Sequence, residues 1–87
     1  MAPDEIQALI REFVLRQFPL AKKRQIQDDE HLLENGIVDS LGVLEVVTFL
    51  EEKFHIKVLD EDLVPENFKD IETLTRFVRQ RSSATRG

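Results

Sequence analysis

Residues 39–54, DSLGVLEVVTFLEEKF, decide the fold of this chain of 87 residues. Asn35 and Gly36 mark a turn just upstream. Beyond that turn, apolar residues recur at helical spacing over about four turns: Leu41, Val43, Leu44, Val46, Val47, Leu50 and Phe54. The stretch therefore predicts a helix from Ser40 to Phe54, with Ser40 at its N-cap or in its first turn. The helix dipole and the free N–H groups at such a position favour an anion such as a phosphate.

The predicted helix has two faces of different character. A buried stripe is expected from its apolar spacing: Val43, Val47, Leu50 and Phe54. Leu41, Glu45, Thr48 and Glu52 share another face, which begins beside Ser40. An exposed leucine among acids is typical of a surface that binds a partner protein. The alternative is that Leu41 folds beneath the preceding loop as a local core residue.

A second helix is predicted before this one and a long connection between them. The first helix runs from Asp4 to Phe18, with Ile6, Leu9, Ile10, Phe13 and Val14 on one face. Pro19 lies beyond its end. The segment from Pro19 to Asp39 is then predicted as a long loop, which is typical of a functional or a disordered segment. Three apolar residues near its end are expected to pin it to the core: Leu32, Leu33 and Ile37.

The remaining chain predicts one short helix and one longer one. Asp60 begins a short helical segment that Pro65 and Asn67 terminate, with Val58, Leu59, Leu63 and Phe68 as its apolar anchors. Asp70 is expected to cap a final helix from Ile71 to Arg79 or Gln80. Residues 81–87 are predicted to be a disordered tail. The fold class is therefore all-α, a bundle of three longer helices and one short helix, in a single domain of residues 4–80.

The composition restricts the classes of partner. The net charge is −5, and the negative charge is concentrated in residues 28–62, on both sides of Ser40. Such a field disfavours nucleic acid and anionic membranes and favours basic protein surfaces. The chain has no cysteine, so disulfides and thiolate metal sites are excluded. It has no apolar run of membrane-spanning length and no signal-peptide pattern at its start, so we expect a cytoplasmic protein.

Taken together, these stretches resemble the acyl carrier protein family, including its peptidyl and aminoacyl relatives. The resemblance covers roughly residues 4–80 and rests on residues 28–41, DDEHLLENGIVDSL, followed by Glu45 and by residues 49–54, FLEEKF. It implies an acyl-carrier-like four-helix bundle in which Ser40 is the attachment point for 4′-phosphopantetheine. A phosphopantetheinyl transferase would supply that group from coenzyme A, with Mg²⁺ needed only during attachment and Asp39 helping to position the metal or the hydroxyl.

The resemblance also implies a function and a set of partners. The protein would be a carrier and not an enzyme, holding acyl or aminoacyl groups as thioesters for fatty-acid, polyketide or nonribosomal-peptide-type biosynthesis. Its partners would be the transferase, a loading ligase and downstream enzymes with basic docking surfaces, and the carrier itself would be a monomer. The residues expected to recognise those partners are Asp39, Leu41, Glu45, Thr48, Glu52 and Val64. The identity of the cargo is left open.

Two departures from the family pattern and two alternative functions bear on this interpretation. Gly42, in the first turn, is expected to loosen the start of the helix. Lys53 and Lys57 interrupt its acidity, which favours a specialised pathway over housekeeping fatty-acid synthesis. A serine hydrolase is disfavoured, since only His31 and His55 are available as bases and no Gly-x-Ser-x-Gly elbow is present. The other alternative is an interaction module with the carrier fold and no working prosthetic group.

Overall fold

The computed structural model describes residues 3–86, with side chains described for residues 5–82. Within these residues the regular structure is helical and contains no strand. The four α-helices are α1 (Pro3–Gln17), α2 (Pro19–Arg24), α3 (Ser40–Phe54) and α4 (Ile71–Arg86), and two 3₁₀ turns lie at Asp60–Asp62 and Pro65–Phe68. The predicted all-α helical bundle is confirmed. None of the helices in the described part of the chain is long and apolar enough to span a membrane.

The core lies between the three longer helices. α1 packs along α4, and α3 closes the third side. The fully buried residues come from every one of these helices and from the loop between α2 and α3: Ile10, Val14, Ile26, Leu32, Val46, Leu50, Ile71, Leu74 and Val78. A single apolar core therefore holds the helices and the long connection together.

The buried face of α3 is rotated by about 70° from the predicted stripe. Leu50 is buried as expected, but its buried neighbours on α3 are Gly42 and Val46. The other three predicted stripe residues pack only partly buried against the core: Val43, Val47 and Phe54. The reason is the glycine, which lets the first turn of α3 approach the core closely and so turns that side of the helix inward.

The long connection is more ordered than predicted, because it begins with the six-residue helix α2. Pro19 lies beyond the end of α1, as predicted. It also begins α2, where its fixed φ and missing N–H suit a helix start. Ala21 is fully buried, and the basic residues 22–24 fall in the last turn, where they complement the helix dipole. The helix ends at Gln25, whose φ of 52° is left-handed.

The rest of the connection is tied to α1 and α4. The predicted anchors Leu32 and Ile37 are buried, and Leu33 is half-buried. The Leu32 N–H donates to the Lys69 carbonyl at 2.8 Å, just before α4. Asp28 accepts from Gln7 Nε2 at 2.6 Å and from Arg11 Nη1 at 2.8 Å, which ties the loop to α1. These contacts hold the chain that leads into α3.

The predicted short third helix is replaced by the two 3₁₀ turns. Pro65 separates them because it has no N–H to continue the first turn. Phe68 is buried and acts as an anchor, as predicted. Leu59 and Leu63 were also predicted as anchors, and this is wrong, since 39% and 41% of their surfaces are exposed. A three-residue turn is too short to present two leucines to the core.

Helix α4 continues well past its predicted end at Arg79 or Gln80. Arg81 pairs with Asp62 at 2.8 Å, and its guanidinium lies 5.0 Å from the centre of the Phe77 ring. These contacts stabilise the helical conformation beyond Gln80. The segment predicted as a disordered tail, residues 81–87, is accordingly helical as far as Arg86, and Gly87 lies outside the described residues.

The cap of α4 gives the first testable prediction. The buried Asp70 carboxylate accepts the Thr73 N–H at 2.7 Å. We expect Asp70→Ala to lower the free energy of unfolding by about 1–2 kcal/mol, because it leaves that N–H without its partner. Urea denaturation measures the change. Asp29→Ala is the control, since the exposed Asp29 side chain makes no hydrogen bond to any described residue; equal losses in the two variants would contradict the prediction.

Candidate functional site

The start of α3 is fixed by Asp39, which acts as its N-cap. Asp39 has extended backbone, and its Oδ1 accepts the Gly42 N–H at 2.7 Å. Its carbonyl oxygen accepts the Val43 N–H at 2.9 Å. Ser40 is therefore the first residue of the helix, which confirms the prediction that it lies in the first turn. Asp39 does the capping, so the serine side chain is not needed for it.

Ser40 is exposed. Within the described residues its hydroxyl makes no hydrogen bond. Because Asp39 caps the helix, the Ser40 Oγ remains accessible to another molecule. It sits at the positive end of the α3 dipole, where a phosphate ester is favoured by roughly 0.3–1 kcal/mol. A hydroxyl in this setting can be converted to a phosphodiester without breaking any contact that the fold needs.

An open groove with apolar walls begins at Ser40. Its volume is about 200 Å³, and it is lined by Leu33 from the loop, Ser40 and Val43 from α3, and Leu63, Val64, Pro65 and Phe68 from the 3₁₀ turns. No histidine is among these residues, and the Nδ1 of His31 instead lies 2.7 Å from Glu34 Oε2. The groove thus offers Ser40 apolar contact and no general base, which disfavours the hydrolase alternative.

The outer face of α3, defined as Leu41, Leu44, Glu45, Thr48 and Glu52, is exposed over its whole length. Leu41 is 75% exposed, so it does not fold beneath the loop. Leu44 is 56% exposed; it was missed as a candidate, although it lies three residues from Leu41 and so on nearly the same face. Glu45 accepts a hydrogen bond from Gln17 Nε2 at 3.0 Å.

Val64, the remaining predicted recognition residue, lies apart from this face. It is 38% exposed and lines the groove beside Ser40 together with Leu63. Leu63 was predicted as an anchor of the core and not as a surface residue. The structure therefore places apolar surface on two sides of Ser40: the leucines of the outer face on one side and the 3₁₀ turns on the other.

Comparison with known proteins adds a family to this geometry. No protein-family model matches the chain. An "Acyl carrier protein homolog" of Mycoplasmopsis pulmonis (strain UAB CTIP) is 33% identical over 73 residues, which cover 84% of this chain and 96% of that protein. The chain belongs to the acyl carrier protein family. The resemblance inferred from residues 28–54 is thereby confirmed.

Two further relatives are named as carriers of different groups, one as an acyl carrier and the other as a D-alanyl carrier. An "Acyl carrier protein" of Chloroherpeton thalassium (strain ATCC 35110 / GB-78) is 25% identical over 81 residues, or 93% of this chain and 98% of that protein. A "D-alanyl carrier protein" of Streptococcus uberis (strain ATCC BAA-854 / 0140J) is 32% identical over 56 residues, or 64% of this chain and 71% of that protein. The similarity therefore extends to carriers of both acyl and aminoacyl type.

The residues around Ser40 fit the prosthetic group that acyl carrier proteins generally hold. 4′-Phosphopantetheine needs an accessible hydroxyl for its phosphate and tolerates apolar surface along its arm. Ser40 provides an exposed hydroxyl without a hydrogen bond, and the groove next to it is bounded by Leu33, Val43 and Val64. Among the described residues, no group of three or more His, Cys, Asp or Glu side chains is arranged so that it could hold a metal ion.

The Asp39 cap gives the second prediction. We expect Asp39→Ala to lower the free energy of unfolding by about 0.5–2 kcal/mol, since the Gly42 N–H loses its acceptor. Asp39→Asn should keep most of this stability, because an amide oxygen accepts the same bond. Urea denaturation of both variants separates the cap from the charge. A loss for Asn as large as the loss for Ala would show that the charge and not the hydrogen bond matters.

Proposed function

We propose that this member of the acyl carrier protein family is a discrete carrier whose Ser40 holds a 4′-phosphopantetheine arm, with residues 4–80 as the carrier domain. The observation that carries the proposal is the exposed Ser40 hydroxyl, free of hydrogen bonds to the described residues, at the first position of α3. The arm supplies a terminal thiol on which an acyl or aminoacyl group travels as a thioester. The chain itself has no cysteine, so no second thiol competes for the cargo.

Attachment is a phosphoryl transfer in which Ser40 is the nucleophile. The Ser40 Oγ attacks the β-phosphorus of coenzyme A. The Oγ–P bond forms as the bond between that phosphorus and the oxygen bridging the two phosphates breaks. Adenosine 3′,5′-bisphosphate leaves, and the serine proton passes to a base of the transferase. Asp39 holds the helix start with Oδ1, and because its side chain is exposed it could also help to position the Mg²⁺ that the transferase brings or the Ser40 hydroxyl.

The charges around Ser40 support partners with basic surfaces. Residues 28–62 contain most of the acidic side chains, and Glu45 and Glu52 share the exposed outer face of α3 with Leu41. Such a field accelerates encounter with basic proteins and repels nucleic acid and anionic lipid. We infer that the chain works as a cytoplasmic monomer, that it catalyses no reaction itself, and that it docks weakly on the transferase, a loading ligase and the enzymes that use the cargo.

The pathway is inferred only as a class. Carrier proteins with a thioester cargo serve fatty-acid, polyketide or nonribosomal-peptide-type biosynthesis. Lys53 and Lys57 reduce the acidity around the end of α3, and a similar protein is named as a D-alanyl carrier. Both observations support a specialised acyl or aminoacyl pathway over a housekeeping one.

The attachment site is tested by intact-protein mass spectrometry after incubation with coenzyme A, Mg²⁺ and a broad-specificity phosphopantetheinyl transferase. We expect the wild type to gain the mass of one phosphopantetheine and Ser40→Ala to gain none. Circular dichroism of Ser40→Ala should show an unchanged fold, since its side chain makes no hydrogen bond to the described residues. If the folded wild type gains no phosphopantetheine mass with this transferase or with a second one, the carrier proposal is contradicted and an interaction module is favoured.

The outer face of α3 gives a further prediction. Leu41→Ala should raise the KM for the transferase about tenfold with little change in kcat, because it removes an apolar contact of about 1–1.5 kcal/mol. Leu20→Ala is the matched control, since Leu20 on α2 is also an exposed leucine, at 45%. Steady-state kinetics with each variant as the substrate measures the effect. Similar KM values for the two variants would show that Leu41 does not contact the transferase.

A further inference from the structure

Gly42 occupies a position where α3 has no room for a side chain. A Cβ atom there would lie 2.8 Å from Phe18 Cε1, 3.0 Å from Val38 Cγ1 and 3.2 Å from Asp39 Oδ1. Carbon atoms in contact normally stay about 3.5–4.0 Å apart. Alanine is the better helix former, so helix propensity does not explain a glycine at this position. The close approach to Phe18 does.

Phe18 has little freedom to move away from α3. Its N–H donates to the Val14 carbonyl at 3.0 Å, and its carbonyl accepts the Ala21 N–H at 2.9 Å, so both α1 and α2 hold its backbone. Its ring packs edge-on against Phe13 with the ring centres 6.1 Å apart. Phe13 is itself stacked on Phe49 of α3 at 4.1 Å. The ring therefore packs within a row of three aromatic side chains.

The other wall of this contact is equally constrained. Val38 is buried, and its N–H donates to the Leu32 carbonyl at 3.1 Å. Backbone hydrogen bonds and packing hold both Phe18 and Val38, so we expect a methyl group at position 42 to push the first turn of α3 outward. That turn begins with Ser40, two residues earlier, so the displacement reaches the hydroxyl that the proposed modification uses.

We propose that Gly42 and Phe18 are positioning residues for the modification of Ser40. The Phe18 ring occupies the space that a side chain at position 42 would need, and this close contact sets where the Ser40 Oγ is presented to the transferase. This inference rests on the proposed function. Neither residue touches the reacting atoms. Phosphoryl transfer depends on the alignment of the nucleophile, and a displacement of about 1 Å can lower such a rate by about 100-fold.

The test compares the wild type, Gly42→Ala, Phe18→Leu and the double variant as substrates of one transferase, with kcat and KM measured for each. Gly42→Ala should lower kcat by about 10- to 100-fold and change KM less, because Leu44 and Glu45 lie beyond the first turn and remain exposed for binding. Leucine is shorter than phenylalanine and gives the new methyl group room. The double variant should therefore recover much of the kcat that Gly42→Ala loses.

Val78→Ala controls for a general loss of stability. Val78 is buried on α4 and is not among the three residues nearest to position 42. It should lower the unfolding temperature and leave kcat near the wild-type value. A thermal unfolding scan of every variant shows that the kinetics refer to folded protein. If Gly42→Ala alone does not fold, the double variant should fold and keep a kcat near that of Phe18→Leu. A double variant that also fails to fold, or that folds with a much lower kcat than Phe18→Leu, would contradict the inference.

The outcomes separate this inference from the proposed function. Three results would overturn the positioning role while the wild type is still modified. Gly42→Ala could keep the wild-type kcat, or Val78→Ala could lose as much kcat as Gly42→Ala. The third result is a double variant whose kcat is no higher than the two single losses combined predict. Failure of the folded wild type itself to gain phosphopantetheine would contradict the proposed function and this inference with it. A loss in kcat that Phe18→Leu reverses supports the inference.

Discussion

The hydrogen bond from the Gly42 N–H to Asp39 Oδ1 is the contact on which the functional end of this molecule depends. It determines that α3 begins at Ser40 and that Asp39, not Ser40, caps the helix. A serine that served as the cap would have its hydroxyl engaged with the backbone. With the aspartate in that role, the helix is terminated properly and the neighbouring hydroxyl stays accessible.

The remaining structure keeps this helix start in a fixed place. The loop before it is bound to α1 through Asp28 and to the start of α4 through Leu32, so a long connection behaves as an ordered part of the bundle. The same loop contributes Leu33 to one wall of the groove at Ser40, and the 3₁₀ turn at Pro65–Phe68 contributes the opposite wall. A small body with an accessible hydroxyl at Ser40, an apolar groove beside it and an acidic exposed helix face suits a protein that is passed between enzymes.

Local patterns in the sequence were sufficient to predict α1, α3, the start of α4 and the position of Ser40, but not α2 or the two 3₁₀ turns. The spacing of apolar residues in residues 40–54 and the aspartate before Ile71 set the bounds of α3 and the start of α4. The rotation of α3 could not be predicted, because it depends on the contact between Gly42 and Phe18, which are distant in sequence. In the same way, α4 continues past Gln80 because Arg81 reaches Asp62 from another segment.

At the site itself, the sequence indicated the serine and the helix start but not that Asp39 is the N-cap, and it indicated only part of the surroundings. Leu41 was expected at the surface and is exposed, whereas Leu63 was expected in the core and lines the groove instead. The difference follows from the short 3₁₀ turn at Asp60–Asp62, which cannot bury apolar residues as an α-helix would. Which side chains border a groove is decided by such tertiary packing, and not by periodicity along one segment.

The assignment of Ser40 as the attachment site is tested most directly by locating the modification on the wild-type chain. After treatment with coenzyme A and a transferase, tryptic digestion and tandem mass spectrometry distinguish the peptide of residues 25–53, which contains Ser40, from the peptide that contains Ser82 and Ser83. We expect phosphopantetheine on Ser40 alone, since that hydroxyl is exposed at the capped start of α3. Modification at Ser82 or Ser83, or none on a folded chain, would contradict it.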